Sequence, residues 1–309
     1  MVETRPSERR GDPSVSVLLT WFVPGAGHLY LGRIGIGIAA FLLVEGLYAL
    51  GWFLSHGRAF EFLDPELRGP LATVLAPEVG NLGAMFAQLR FAGFGAEEPL
   101  PYPPWIAVGS LLCALSGLLN AFVAVHAHLV ARTSRDLRCS GPHPVLATFL
   151  GWLVPGLGHW FQGRKQRALI VFALLVGLFL WGTWLAAGTN LSRERHFYYW
   201  SGQLLSGLPA IATELLSGRP PVHGEIPRVD VGLLFACMAG LLNVLALLDV
   251  YGVGERRWLA RAPTAPSSRG PTDTLEAAAQ AESETPAPSN RGLTEALKEA
   301  SKAEKEGTA

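Results

Sequence analysis

The chain has 309 residues, half of them hydrophobic and only 16% charged. A soluble globular domain carries about 25% charged residues, so this composition points to a bilayer. Net charge is zero, which gives no electrostatic reason for a nucleic-acid partner, and Cys113, Cys139 and Cys237 form no CxxC pair that would suggest a disulfide framework or a zinc site.

Residues 1–13 read as a charged arm with Arg5, Arg9 and Arg10. An apolar run starts at Ser14 and stops at Pro24-Gly25-Ala26-Gly27-His28, followed by Tyr30-Leu31-Gly32-Arg33. Proline removes a backbone donor and glycine loosens a helix, so this stretch breaks one. Ten helical residues rise about 15 Å, roughly half a hydrocarbon core. Two readings fit. Residues 15–31 are a minimal kinked span, or they dip into the bilayer and return as a re-entrant hairpin. A charged start and a short apolar core also mark signal peptides. The same pattern recurs inside the chain, where no signal peptide sits, so both copies are read as structural.

Residues 34–54 predict a clean span. Residues 55–104 form a long loop in which Val79, Leu82, Phe86 and Leu89 fall at helical spacing, with Met85 beside them. That spacing predicts a short amphipathic helix, either lying at the interface or packed on the spans. Residues 105–130 are a second span, reached through Pro101, Pro103 and Pro104. A basic connector, 132–144, carries Arg132, Arg135 and Arg138. The second apolar run, 145–154, is broken at Pro155-Gly156-Leu157-Gly158-His159 and followed by Phe161-Gln162-Gly163-Arg164. A span at 168–187, a long loop at 188–230 and a last span at 231–253 complete the second unit. The apolar stripe of that loop is Leu204, Leu208, Ile211 and Leu215. From 254 onward the composition turns to Ala, Pro, Ser, Thr and Glu. It predicts a disordered cytoplasmic tail with a weak helix at 293–304.

The two units are copies. A shift of 131 pairs Pro24 with Pro155, Gly25 with Gly156, Gly27 with Gly158, His28 with His159 and Arg33 with Arg164. After the long loop the shift becomes 123, and it pairs Gly117-Leu118-Leu119-Asn120 with Gly240-Leu241-Leu242-Asn243. The units therefore run over 14–131 and 145–253. The pattern Pro-Gly-x-Gly-His-x-Tyr/Phe-x-Gly-Arg between apolar runs resembles that of an uncharacterised bacterial membrane-domain family. More loosely it is similar to the two-transmembrane (TM-two) domain proteins, which share a Gly-x-Gly-x-His-x-x-Tyr-x-Gly type turn. This resemblance implies an integral membrane protein and carries over no catalytic residues. Each unit departs from the two-helix form by adding a third apolar segment and a long loop.

Charge chooses between the two readings of the broken runs, because positive residues in short loops mark the cytoplasmic side. If the runs are re-entrant, Arg5, Arg9, Arg10, Arg33, Arg132, Arg135, Arg138, Arg164, Lys165, Arg167, Arg256, Arg257 and Arg261 share one side. The two much longer loops hold seven arginines. With six full spans the units become inverted and this bias largely vanishes, an arrangement known in transporters. The predicted fold is thus all-α, a polytopic membrane helical bundle of two tandem repeats. Each repeat is a broken or re-entrant apolar segment plus two spans. Lysine is nearly absent outside the tail, the bias of a GC-rich bacterial genome. The expected location is a bacterial cytoplasmic (inner) membrane, with both termini cytoplasmic.

The candidate polar residues are His28, Arg33, Glu45, Asn120, His159, Arg164, Asn243 and Asp249. The helix-break set is Pro24, Gly25, Gly27, Pro155, Gly156 and Gly158. Glu45 sits halfway along its span, where a carboxyl faces the bundle interior with a partner. Asn120 lies at comparable depth as a possible donor. Asn120 and Asn243 also read as interhelical glue, and Gly109, Cys113 and Gly117, like Gly232, Ala236 and Gly240, make smooth stripes for close approach. His28, His159, Arg33 and Arg164, with His126, His128 and Asp249 at the same level, have three readings. They satisfy carbonyls freed by the break, bind lipid phosphate, or form a metal or catalytic site. His126 and His128 are two apart and face different ways on a helix. No catalytic residue, cofactor or metal ligand is assigned. The expected partners are the bilayer and anionic lipid head groups. The leading function is a structural or regulatory membrane component; a small transporter or channel near Glu45 is the rival, and an intramembrane hydrolase lacks a visible nucleophile and base.

Overall fold

The computed structural model describes residues 11–60, 74–91, 103–133, 141–216 and 224–260. The arm before residue 11, Arg135 and Arg138 of the connector, and the tail from 261 onward lie outside the described residues. All regular structure among the described residues is helical. In chain order the helices are α1 (Pro13–Phe22), α2 (Ala26–Tyr30), α3 (Ile34–Leu54), a 3-10 turn (Pro77–Gly80), α4 (Leu82–Phe91), α5 (Ile106–Arg132), α6 (Pro144–Leu153), α7 (Leu157–Phe161), α8 (Lys165–Leu185), α9 (Phe197–Leu204), α10 (Leu208–Leu216) and α11 (Val229–Ala260).

Local chemistry explains the start of each repeat. The Asp12 carboxylate accepts from the Ser14 and Val15 amides at 2.7 and 3.2 Å, and Pro13 opens α1 where its missing donor costs nothing. The helix stops at Val23, which is extended ahead of Pro24. Gly25 then takes φ +80°, a left-handed conformation that starts α2 in a new direction. Shifted by 131 residues, α1, α2 and α3 become α6, α7 and α8 with identical bounds. Even a left-handed non-glycine residue recurs, His56 at φ 52° and Ala187 at φ 51°.

Four helices, α3, α5, α8 and α11, are long and apolar enough to cross a membrane. α1 and α6 have ten residues each. They do not continue as kinked spans. Gly27 packs against α1 so closely that an added Cβ would overlap the Ser16 carbonyl, and Gly158 meets the Ala147 carbonyl in the same way. In a straight helix such residues, eleven apart, would be separated by about 16 Å. Each broken run is a hairpin.

The glycine stripes bring the long helices together. An added Cβ on Gly51 would lie 2.6 Å from the Gly109 carbonyl oxygen, and one on Gly182 would lie 2.6 Å from that of Gly232. Backbones this close gain dispersion contacts that larger residues would prevent. The loop segments fold inward. Leu82 and Met85 join a core with Phe60, Ala76 and Phe197, so α4 packs on the bundle while Phe86 stays exposed. The expected stripe of the second loop is divided, because a turn after α9 separates Leu204, which is buried, from Leu208 and Leu215, which are exposed. The largest core cluster joins the repeats, with Leu111 and Ala114 of α5 packed among Phe179, Trp200, Leu204, Ala236 and Ala239. α11 does not end at Val253. It runs on to Ala260, and its last turns are tied down by Arg132–Glu255 at 2.8 Å and by Arg257 donating to the Gln162 carbonyl at 3.4 Å.

Candidate functional site

Breaking a helix strands the carbonyls of its last turn. In both repeats a single buried asparagine takes one of them. Asn120 Nδ2 donates to the Thr20 carbonyl at 2.7 Å and the Gly80 carbonyl at 2.9 Å. Asn243 Nδ2 donates to the Leu205 carbonyl at 2.9 Å and reaches that of Gly151, the repeat mate of Thr20, at 3.5 Å. One amide per repeat thus ties the short helix, a span and the long loop. This corrects two expectations. Asn120 does not pair with Glu45, because its donors are consumed by backbone carbonyls; Glu45 instead faces the buried Asn81 amide. At each break one freed carbonyl, that of Thr20 and that of Gly151, goes to asparagine and not to a histidine or arginine. Replacing Asn120 with leucine leaves two buried carbonyls unpaired, at about 1–3 kcal/mol each. The expected result is a clear fall in melting temperature of the detergent-solubilised protein. Asn243→Leu should cost less, since one of its two bonds is long.

The histidines and arginines find other partners. In repeat 2, His159 Nε2 lies 3.2 Å from Asp249 Oδ2, and Arg164 Nη1 lies 2.5 Å from the same oxygen. Arg164 Nη2 donates to Gln162 Oε1 at 2.7 Å, and Gln162 Nε2 donates to the Val250 carbonyl at 2.7 Å. Burial lowers the His159 pKa, helped by Arg164 and opposed by Asp249. His159 Nε2 donates a hydrogen bond to the carboxylate.

Repeat 1 has the same histidine but another partner. His28 is fully buried, with Nε2 2.7 Å from His126 Nδ1 and the two rings stacked. His143 leans on His126, ring centroids 5.6 Å apart, and Trp258 meets His143 edge-on. Burial lowers the pKa of His28 and of His143. His28 and His126 stack while His143 is tilted on His126, and among the described residues no three metal-ligating side chains are grouped to hold a metal ion. Arg33, the mate of Arg164, forms no ion pair among the described residues. His128 faces away, as its spacing predicts, toward Tyr251 Oη at 3.1 Å and Glu255 Oε1 at 3.8 Å.

A family model matches residues 15–137 and again 146–261, and it describes a Family of unknown function (DUF6677). The chain belongs to this family. The two matched copies follow the same division as the repeated helices. No curated protein and no solved structure matches the chain.

Between the two DUF6677 copies lies a group that sequence reasoning missed. Glu78, in the loop of the first copy, and Arg193, in the loop of the second, are both fully buried and 2.7 Å apart. The Arg193 guanidinium stands over Trp200 at 4.7 Å, Phe60 at 4.9 Å and Phe197 at 5.5 Å, and it donates to the Ser110 carbonyl at 3.2 Å. Beside it Asn190 Nδ2 donates to Gln203 Oε1 at 2.6 Å. The sequence counted Arg193 only as a loop charge. The aromatic run Phe197-Tyr198-Tyr199-Trp200 just after it was a usable hint of a cation cage, but Glu78 is too distant in sequence to be paired with it.

Proposed function

We propose that this protein is a non-catalytic structural or regulatory component of a bacterial cytoplasmic membrane. Its termini and basic turns face the cytoplasm, and anionic lipid head groups are among its contacts. The observation that carries this reading is the use to which each repeat puts its polar groups. Asn120, Asn243, His159, Arg164 and Asp249 are engaged in holding helix breaks, spans and loops together. The orientation follows from the basic short turns. Head-group contact follows from the same arginines, whose planar forks suit phosphate oxygens. The likeness of the broken turn to two-transmembrane domains implies an integral membrane protein and no more.

Glu45 is the residue on which a transporter reading rests, and it supplies the test. A scaffold predicts that Glu45→Gln folds normally and melts within about 1 kcal/mol of the unaltered protein. It further predicts that a thiol introduced at position 45 in a cysteine-free background resists a membrane-impermeant maleimide. Rapid labelling from either face, with altered ion flux in vesicles holding Glu45→Gln, would favour a transport path. Labelling of the 132–144 connector from outside would reverse the orientation.

A further inference from the structure

The two repeats share one plan and differ at a charged position. In repeat 2, Asp249 lies 2.5 Å from Arg164 and 3.2 Å from His159. Its mate in repeat 1, under the 123-residue shift, is His126. His126 keeps the histidine contact, to His28, but an imidazole does not neutralise a guanidinium. Arg33 is left half-buried, within electrostatic range of His126 and with no carboxylate among the described residues. His28 is fully buried, and its Nδ1 has no hydrogen-bond partner.

The same place holds a cavity whose third wall comes from the other repeat. α6 of repeat 2 lies across from α3 and α5 of repeat 1, leaving a groove of about 320 Å³. That volume is within the range of small-molecule sites. Its walls are apolar: Ile36, Ala40 and Leu43 on α3, Phe122 on α5, and Leu146 and Phe149 on α6. Its polar end is His28, His126 and His143. From Ile36 to Leu43 the helix rises about 10 Å. Ile36, Leu43 and Leu146 are 43%, 63% and 45% exposed, so the groove opens sideways, where acyl chains run alongside a span. An apolar length that ends on imidazoles, with the Arg33 charge within electrostatic range of His126, offers the two halves of one ligand chemistry.

We propose that this groove holds one anionic phospholipid, with an acyl chain along α3 and its phosphate between Arg33 and the three-histidine end. The phosphate supplies the counter-charge that Asp249 supplies in repeat 2. The inference rests on the reading that anionic head groups contact the cytoplasmic face, and adds one defined seat to that diffuse contact. A guanidinium binds phosphate through a fork of hydrogen bonds, and the half-buried neutral imidazoles of His126 and His143 still offer N–H donors. A zwitterionic lipid brings its own cation and satisfies Arg33 less well. Free phosphate lacks the chain whose burial in the groove is favourable.

The test uses the full chain purified in detergent. It is titrated with dioleoyl phosphatidylglycerol or dioleoyl phosphatidylcholine, and bound lipid is counted by native mass spectrometry. One phosphatidylglycerol should be held at least tenfold more tightly than phosphatidylcholine. Arg33→Gln should cut its retention at least tenfold, and so should Ala40→Trp, which fills the groove without touching charge. His126→Asp, which installs the carboxylate of repeat 2, should do the same while keeping the melting temperature. Arg256→Gln, which removes an exposed charge outside the groove, should leave retention unchanged. Equal retention of the anionic lipid by folded Arg33→Gln or Ala40→Trp overturns the proposal even if His126→Asp fails to fold. So does binding of inorganic phosphate as tight as that of the lipid. If Arg256→Gln weakens retention as much as Arg33→Gln, the seat is lost and diffuse head-group contact stands. If both lipids bind alike to every variant, both readings fall.

Discussion

Replacing Arg193 with methionine is expected to destabilise the folded protein by about 3–5 kcal/mol, the usual cost of removing one partner from a buried ion pair. Arg193 and Glu78 are both fully buried, so methionine would leave a carboxylate without its cation. The three aromatic rings around Arg193 would lose their cation–π contacts as well. Thermal or denaturant unfolding of the solubilised protein measures the effect. Adding Glu78→Gln should recover a substantial part of the loss, because it removes the stranded charge. Arg193→Lys should not recover it, since an ammonium neither stacks on rings nor donates through a planar fork. A methionine variant as stable as the original would mean that the pair carries little weight in joining the two loops.

The second large effect is at the break. Gly156→Ala should cost about 1–2 kcal/mol for a left-handed alanine. Overpacking against the Ala168 carbonyl, which its Cβ would overlap, should add about 1–3 kcal/mol. The backbone there has φ +89°. Gly25→Ala should behave alike, since its φ is +80° and its Cβ would overlap the Gly37 carbonyl. Gly177 gives the contrast, because it lies inside α8 with nothing within 4 Å of an added Cβ. Gly177→Ala should be neutral or stabilise by about 0.5–1 kcal/mol. Yield of monodisperse protein and its melting temperature distinguish the three. Equal behaviour would show that the hairpin does not depend on its left-handed residue.

The repeat, the breaks and the four long helices were legible in the residues. Pro24 and Gly25, and Pro155 and Gly156, stop a helix through their own backbones, and span length follows from a local run of apolar side chains. The close-approach role of Gly109 and Gly232 was legible too, since small residues every fourth position make one helix face. The inward packing of Leu82 and Met85 was one of two open alternatives, because an amphipathic helix has the same spacing on a membrane surface or on a core.

Composition, duplication and helix punctuation thus came from the sequence alone, because each depends on residues close together in the chain. Which polar group meets which was decided only by the tertiary structure. Asn120 reaches Thr20 across 100 residues, His28 reaches His126 across 98, and Arg193 meets a glutamate in the other repeat. Such pairs depend on how α5 and α11 pack against the hairpins and loops, and a side chain's chemistry does not specify its partner. The groove is of the same kind. Its walls come from both repeats, and only their packing brings Arg33, which has no carboxylate among the described residues, within electrostatic range of His126.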